Sequence, residues 1–342
     1  GDDEFVLLVV LTSLFITQAP IIGRFVKGKD IIMSVITFKR TLAAMALMAA
    51  SVMSSSAWAD DLQQIRDRGV LRHIGVPYAN FVSYIEQGEV ETLTGLDVEI
   101  VKGFAKSLGV KYQYVPAQWS DMVGKLTGQD VQYHNKQAVV GESVPIEGDL
   151  IANGVTILDW RSEVLDFSQD YFPSGVWLVS RTDSTLSPIK PSGSVDEDVK
   201  TVKQLIHGRE VLALEHSCLD PNLYDLYDTG AKVILPDGAR LLNEMVPAIM
   251  KNDAESTLLD VADTLIALEK WPGEIKVIGP VSENQKMAVA FRKNSPELRK
   301  AFDRYLDSIK KDGTYEKLVK KYYPSIYYFY NDYFIEDSKK TR

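Results

Sequence analysis

Residues 154–161 place a glycine, a threonine and an arginine at a spacing that suits the binding of a small carboxylate. Gly154 can start a turn, Thr156 follows with a hydroxyl, and Arg161 adds a guanidinium five residues later. A guanidinium is a planar fork of donors that can hold a carboxylate by two hydrogen bonds at once. The alternative is that Arg161 is a surface arginine in a solvated ion pair, and spacing alone leaves both interpretations open.

The composition argues against several other kinds of site. The chain has 342 residues and a net charge of −9, which disfavours nucleic acid and anionic membranes as partners. The lone Cys218 excludes an internal disulfide. There is no glycine-rich phosphate loop, and the four histidines show no metal-ligand spacing: His73, His134, His207 and His216. We therefore expect no cofactor and no metal.

Residues 33–59 have the three parts of a signal peptide. Lys39 and Arg40 are basic, residues 42–53 form an apolar run, and Ala57-Trp58-Ala59 is an Ala-x-Ala cleavage site. This order predicts an exported, periplasmic protein cleaved after Ala59, without the cysteine that lipid attachment would need. The mature chain would begin at Asp60.

Residues 1–32 do not fit this scheme. Their apolar stretch 5–22 approaches the roughly 20 residues that cross a bilayer, so a transmembrane helix is one interpretation. The chain starts at Gly1 and a complete signal peptide starts at Met33, which favours a doubtful upstream segment. Residues 1–59 are therefore left out of the fold prediction.

The remaining residues alternate between strand and helix patterns. Apolar residues at helical spacing predict a helix over 96–108 that ends at Gly109, and 219–227 is a second helix candidate. Residues 129–147 are predicted to be an inserted hairpin or loop, and 295–321 a long helical region interrupted at Asp312. The alternation indicates an α/β fold of open, mostly parallel sheets flanked by helices, which bind ligands at the carboxyl ends of their strands.

The Ser/Pro/Gly-rich segment 182–194 marks a boundary between two lobes. We predict that 60–181 is the first part of lobe 1, 182–284 is lobe 2, and 285–342 returns to lobe 1. The aromatic tail 322–334 is expected to pack on the first lobe.

The chain from about Leu62 to Pro324 resembles the bacterial extracellular solute-binding proteins of the amino-acid type, family 3. Residues 70–76 resemble the opening strand and 93–99 the G-x-D-V-D helix start. Residues 154–168 resemble the signature G-x-T-x-T-x-x-R…D-F-S, and 255–260 resemble D-A-x-x-x-D. Asp312-Gly313-Thr314 with Tyr322-Tyr323-Pro324 resembles the usual ending.

This resemblance implies a two-lobed periplasmic-binding-protein fold of type II that closes on a solute in the cleft between its lobes. Arg161 and Thr156 match the residues that hold the α-carboxylate of the ligand, and Asp260 matches the residue that binds its α-ammonium. The implied partners are an amino-acid-like ligand and the membrane permease of an ABC transporter, with the binding protein as a monomer. No catalytic residue is expected.

Other candidates for ligand contact each have a plainer interpretation. Gly154, Ser217 and Cys218 could offer backbone amides, and Ser217 or Asp260 could instead cap a helix. Trp119 matches an aromatic wall of the family, while Tyr78 and Phe81 lie in the first strand-to-helix loop; all three could be core residues. Leu158 replaces the second threonine of the signature and Trp160 a usually polar residue, so the ligand of any one relative cannot be transferred.

Two other functions remain open. An enzyme on the same fold, similar to cyclohexadienyl dehydratase, would need a general acid or base in the cleft, for which only Glu215 and His216 are candidates. A sensory or murein-lytic protein can carry the same domain.

Overall fold

The computed structural model describes residues 61–87, 90–134, 136–236 and 241–340. The predicted signal peptide and the upstream segment lie outside these ranges, so the cleavage after Ala59 stays a prediction. Within these ranges we find no helix with the length and apolar character needed to span a membrane. Residues 60–342 form one compact unit.

The first half of this unit contains four helices and eight strands. They are α1 (Asp61–Arg68), β1 (Val70–Gly75), β2 (Ser83–Gln87), β3 (Val90–Thr94), α2 (Leu96–Leu108), β4 (Lys111–Pro116), α3 (Met122–Thr127), β5 (Gln129–His134), β6 (Gln137–Ser143), β7 (Leu150–Ile151), α4 (Asp159–Val164) and β8 (Leu165–Phe167).

The chain then crosses to a second sheet and returns. The elements are β9 (Phe172–Ser174), β10 (Val176–Arg181), α5 (Val195–Leu205), β11 (Glu210–Leu212), β12 (Lys232–Ile234), α6 (Met245–Met250), β13 (Ser256–Asp260), α7 (Val261–Lys270), β14 (Ile275–Pro280), β15 (Gln285–Met287), β16 (Ala290–Arg292), α8 (Pro296–Lys311), α9 (Thr314–Tyr322) and α10 (Ile326–Lys340). Three short 3₁₀ turns also lie here, at Pro221–Tyr224, Leu226–Thr229 and Leu242–Glu244.

Each lobe is built on a five-stranded sheet, in the orders β4-β1-β7-β16-β8 and β12-β11-β13-β10-β14. Both sheets are mostly parallel, as predicted: in each, four strands run in one direction and one strand runs against them. In the first, β1 pairs in parallel with β4 and β7, whereas β16 pairs antiparallel with β7 and β8. In the second, β11 pairs in parallel with β12 and β13, whereas β10 pairs antiparallel with β13 and β14. The reversed strands are β16 and β10, and each directly follows a crossing between the lobes.

The two crossings are β9 and β15, which pair with each other as an antiparallel ribbon. Strand β15 begins at Gln285, and the return of the chain to lobe 1 at residue 285 stays a prediction. The outward crossing comes earlier than the predicted limit of 181, because β10 belongs to the second sheet. The Ser/Pro/Gly-rich segment 182–194 is a loop of lobe 2, where Ile189 N donates to Ile278 O at 2.8 Å. Its composition marks a loop, not the boundary itself.

Several predicted elements are present. Helix α2 ends at Gly109, which adopts the left-handed conformation of a C-cap. The insertion at 129–147 forms the hairpin β5–β6, and α8 and α9 meet at Asp312 and Gly313. The helix predicted over 219–227 is wrong, because this segment forms two 3₁₀ turns separated by Asp225 with a positive φ.

Most of the aromatic tail lies in α10, and this helix contacts both lobes. Tyr333 donates to Asp170 at 2.8 Å and Lys310 pairs with Asp337 at 2.7 Å, both on the lobe 1 side. Phe329 also packs edge-on against Trp177 of β10, with ring centroids 5.6 Å apart. The predicted contact with the first lobe is therefore present, and a contact with the second lobe accompanies it.

Candidate ligand site between the lobes

The candidate residues lie beyond the carboxyl ends of the central strands of the two sheets. Strand β7 leads into the turn at Gly154 and Thr156, and β13 ends at Asp260. Each is the third of five strands in its sheet. This is where an open α/β sheet offers its loops and helix N-termini to a ligand.

A buried carboxylate holds the Gly154 turn in place. Asp97, in the first turn of α2, accepts hydrogen bonds from Gly154 N at 2.7 Å and from the Tyr171 hydroxyl. Gly154 has φ 56°, and a Cβ at this position would come within 2.5 Å of the Phe81 ring. The Gly154 amide therefore positions the turn, and the fully buried Phe81 lies beneath it in the core. Direct contact of either residue with a ligand stays a prediction.

Arg161 is a buried guanidinium that lacks a carboxylate partner among the described residues. It is only 5% exposed on α4, and its Nη1 donates to the carbonyl of Thr156 at 2.9 Å. Its guanidinium also lies 5.3 Å from the centre of the Trp160 ring. Among the residues that the structure describes, no carboxylate lies within ion-pairing distance of it. The alternative of a solvated surface arginine is therefore ruled out.

The surroundings of Arg161 extend across both lobes. Burial lowers the pKa of its guanidinium, while Cys218 and Tyr224 of lobe 2 and Tyr78 of lobe 1 favour its charged form. The hydroxyl of Thr156 is buried and makes no hydrogen bond to any described residue. A hydroxyl and a guanidinium that both have donors to spare can bind an anion.

Asp260 carries the charge opposite to that of Arg161 and belongs to lobe 2. It is 1% exposed and caps α7, because its Oδ1 accepts from Ala262 N at 2.9 Å. Its Oδ2 accepts from the Ser174 hydroxyl of β9 at 2.6 Å. Burial raises the pKa of Asp260 to about 6, and both hydrogen bonds oppose that rise. The helix cap expected as the plain alternative is therefore present, and each carboxylate oxygen keeps a second lone pair for a cation.

Cys218 is influenced by both of these charges. Burial raises the pKa of its thiol to about 12, Asp260 raises it further, and Arg161 lowers it. The neighbouring Ser217 uses its hydroxyl locally, since it donates to Leu214 O at 2.7 Å and accepts from Leu219 N at 3.0 Å. Only the backbone of Ser217 is left for the predicted contact.

The predicted aromatic residues differ in their surroundings. Tyr78 packs edge-on against the half-buried Trp119, with ring centroids 5.4 Å apart. The Tyr78 hydroxyl is buried without a partner among the described residues, and burial followed by the charge of Asp260 raises its pKa. Tyr78 and Trp119 therefore pack together, and Tyr78 is within electrostatic reach of Asp260, whereas Phe81 is a core residue. Contact of Tyr78 or Trp119 with a ligand stays a prediction.

Three further polar residues were not among the sequence candidates: Asp263, Tyr224 and Gln285. Tyr224 donates to Cys218 O, and Gln285 of the ribbon strand β15 has a buried Oε1 without a partner among the described residues. Asp263 is a second buried carboxylate, one turn after Asp260. Its spacing from Asp260 was a usable signal, because positions three apart share a helix face.

The inserted hairpin reaches the second lobe. Lys136 at its tip pairs with Asp225 at 2.5 Å, and Tyr133 of β5 packs on Trp160 with ring centroids 5.4 Å apart. Both partners of the ion pair are more than half exposed, so this contact is a weak one. The insertion lies beside the cleft.

The residues considered for general acid or base chemistry are not buried. Glu215 and His216 are exposed, and the His216 amide donates to Asp220 at 2.9 Å. His73 is fully buried in lobe 1, where its ring contacts the Tyr112 hydroxyl and the carbonyl of Ala152.

Comparison with known proteins gives a consistent result. Residues 146–325 match the model of the bacterial extracellular solute-binding proteins, family 3. The L-cystine-binding protein TcyJ of Escherichia coli K12 is 25% identical over 284 residues, which cover 82% of this chain and 94% of that protein. The membrane-bound lytic murein transglycosylase F of Desulfosudis oleivorans is 24% identical over 236 residues, 69% of this chain but only 45% of that enzyme.

A solved structure shares the fold. The ancestral amino acid-binding protein AncCDT-1, a precursor of cyclohexadienyl dehydratase, superposes with a TM-score of 0.58 at 22% identity. The match covers 78% of this chain and all of that one. At this identity, the likeness establishes the two-lobed α/β architecture alone.

Proposed function

The chain belongs to the bacterial extracellular solute-binding proteins of family 3, and from this premise we propose that it captures an amino acid or a similar small zwitterion for an ABC-type importer. In this proposal Arg161 and Thr156 hold the carboxylate of the ligand, and Asp260 holds its ammonium. Tyr78 and Trp119 border the ligand, with backbone groups of Gly154, Ser217 and Cys218 near it.

The observation that carries the proposal is the pair of opposite charges on opposite lobes. Among the described residues, Arg161 is buried with a single hydrogen bond, to a carbonyl, and Asp260 is buried with two neutral donors. A charge taken out of water costs several kcal/mol unless a counter-charge meets it. A zwitterion supplies both counter-charges at once, whereas a simple acid or amine supplies one.

The same arrangement couples binding to closure. Because the two charges lie on different lobes, only a closed molecule lets one ligand reach both, and the ligand therefore favours the closed state. A two-stranded ribbon, β9 with β15, joins the lobes, and Ser174 on this ribbon donates to Asp260. We propose that the permease distinguishes the closed form from the open one.

The cellular setting completes the proposal. The signal-peptide pattern at 33–59 and the extracellular family support export to the periplasm with cleavage after Ala59. We propose that the mature protein acts as a monomer, without a cofactor.

We propose binding without catalysis. The matched family consists of binding proteins, although one relative is an enzyme and AncCDT-1 is a precursor of another. The residues that the sequence offered as an acid or base, Glu215 and His216, are exposed. The test below therefore includes recovery of the ligand.

The test is a thermal-shift screen of the chain from Asp60, unfolded and refolded to remove bound solute. Amino acids should raise the melting temperature, because a ligand that binds only the folded state stabilises it by mass action. The screen includes, for each amino acid, the matched acid without the ammonium and the matched amine without the carboxylate. Mass spectrometry of the recovered ligand should show it unchanged.

The variant Asp260→Asn tests the proposed contact between Asp260 and the ammonium of the ligand. Asparagine caps helices as well as aspartate, so α7 should persist. Affinity for amino acids should fall about 10- to 100-fold with the loss of a charge-assisted contact, while the matched acids should bind as before. Equal losses for both ligand classes would refute the role given to Asp260, and chemical conversion of the ligand would refute pure binding.

A further inference from the structure

The inserted hairpin β5–β6 is attached to lobe 1 through both of its strands. Val131 and Tyr133 of β5 are buried in an apolar cluster of that lobe, and Tyr133 packs on Trp160 of α4. On β6, Ala138 N donates to the carboxylate of Glu163, also in α4, at 3.1 Å. Because α4 contacts both strands, the hairpin should move with lobe 1 when the cleft opens.

The residue that meets the hairpin tip belongs to lobe 2. Asp225 lies in the segment that joins β11 to β12, between two 3₁₀ turns. The hydroxyl of the preceding Tyr224 donates to Cys218 O, which fixes this segment within lobe 2. Lys136 Nζ at the hairpin tip lies 2.5 Å from Asp225 Oδ1. The ion pair therefore joins groups on different lobes, and opening of the cleft would break it.

An apolar contact accompanies the ion pair. Leu223, two residues before Asp225, is partly buried against the lobe 1 cluster that contains Tyr133 and Trp160. Leu223, Asp225 and Trp160 also line one cavity of about 550 Å³, together with Lys136. The two lobes therefore meet here through an ionic and an apolar contact, next to the helix that carries Arg161.

We propose that Lys136, Asp225 and Leu223 form a clasp, which holds the lobes together after closure and slows the release of the ligand. A contact that exists only in the closed state lowers the fraction of open molecules, and the ligand leaves from the open state. Arg161 and Asp260 then decide whether a ligand binds, and the clasp decides how long it stays. This inference rests on the proposed function for its ligand.

Carbodiimide cross-linking of the refolded chain from Asp60 tests the contact itself. The reagent activates a carboxylate, and a lysine amine in contact with it displaces the activating group to form an amide. Mass spectrometry should find Lys136 joined to Asp225, with a yield that rises when a mixture of amino acids is added. The matched control is the pair Lys125–Glu147, 3.0 Å apart within lobe 1, whose yield should not depend on amino acids.

Release rates test the consequence of the contact. The protein is loaded with a mixture of isotope-labelled amino acids and chased with the unlabelled mixture, and the label that stays bound is measured by mass spectrometry. Lys136→Gln and Asp225→Asn should each release about 2- to 5-fold faster, as expected for an exposed ion pair, and the double variant no faster than either. Asparagine tolerates the φ of 52° at Asp225, so the two turns should persist.

Two further variants separate the apolar contact from a general effect. Leu223→Ala should release about 3- to 30-fold faster, because part of a leucine side chain loses its cover in the closed state. Lys125→Gln breaks the ion pair within lobe 1 and should release at the wild-type rate.

The outcomes distinguish this inference from the proposed function. The clasp is overturned, and the proposed function stands, if the labelled protein releases at the wild-type rate in both Asp225→Asn and Leu223→Ala. The same follows if Lys125–Glu147 cross-links and Lys136–Asp225 does not, or if the yield for Lys136–Asp225 ignores amino acids that bind. A wild-type protein that takes up no label overturns both proposals.

Discussion

Replacing Arg161 by methionine should abolish ligand binding without weakening the ligand-free fold. The variant removes the guanidinium but keeps a long apolar side chain beside Trp160. Two charge-assisted hydrogen bonds to a carboxylate contribute about 1.5–3 kcal/mol each, so the loss of about 3–6 kcal/mol should raise the Kd about 10²- to 10⁴-fold.

The effect on stability has two opposing parts. The variant loses one hydrogen bond, from Nη1 to the Thr156 carbonyl, which contributes about 1 kcal/mol. It also relieves the burial of a charge that has no described carboxylate partner, a cost of several kcal/mol. The free energy of unfolding without ligand should therefore stay level or rise by about 1–3 kcal/mol.

The assay combines urea unfolding of the ligand-free protein with titration calorimetry. Arg292→Met is the matched control, because Arg292 donates to the carbonyls of Leu126 and Gly148 in lobe 1, away from the cleft. This control should lose stability and keep its affinity. A ligand-free Arg161→Met that is more than about 1 kcal/mol less stable would refute our reasoning, as would a variant that still binds normally.

Two further predictions concern the turn that positions the site. Gly154→Ala should destabilise the protein by about 2–4 kcal/mol in urea unfolding, because φ 56° and the Phe81 ring at 2.5 Å oppose a Cβ; an unchanged midpoint would contradict this. Burial raises the pKa of Asp97 from 3.8 to about 7, so the folded state binds an extra proton between these values. Its stabilising contribution is full below about pH 4 and is lost as the pH rises through about 7. Asp97→Asn should therefore lose less stability than the wild type between about pH 4 and 7, and equal losses would count against this assignment.

Local sequence patterns predicted the helices and helix ends that are determined by residues within a single segment. The apolar spacing of 96–108 with Gly109 behind it specifies helix α2 and its end, since amphipathic period and cap act within one segment. The same holds for the break between α8 and α9 at Asp312 and Gly313. The helix prediction for 219–227 failed because Asp225 adopts a left-handed conformation that the apolar pattern does not reveal.

The boundary between the lobes could be located only from the order of the strands in the two sheets. Residues 176–181 read as a strand next to a loop-rich segment, but a strand pattern does not say which sheet the strand joins. Pairing of β10 with β13 and β14 assigns it to lobe 2 and moves the crossing to β9.

For the site, the sequence by itself determined the type and order of the groups: a turn with Thr156, a guanidinium at Arg161, and a carboxylate at the end of a later strand, Asp260. These follow from residue identity and spacing. Tertiary structure decided that Arg161 is buried without a described carboxylate partner, and that Asp260 accepts from Ser174 on the ribbon between the lobes. It also decided that the hairpin tip reaches Asp225. The physical reason is that desolvation and electrostatic interaction depend on distances between segments more than 80 residues apart, which no local pattern contains.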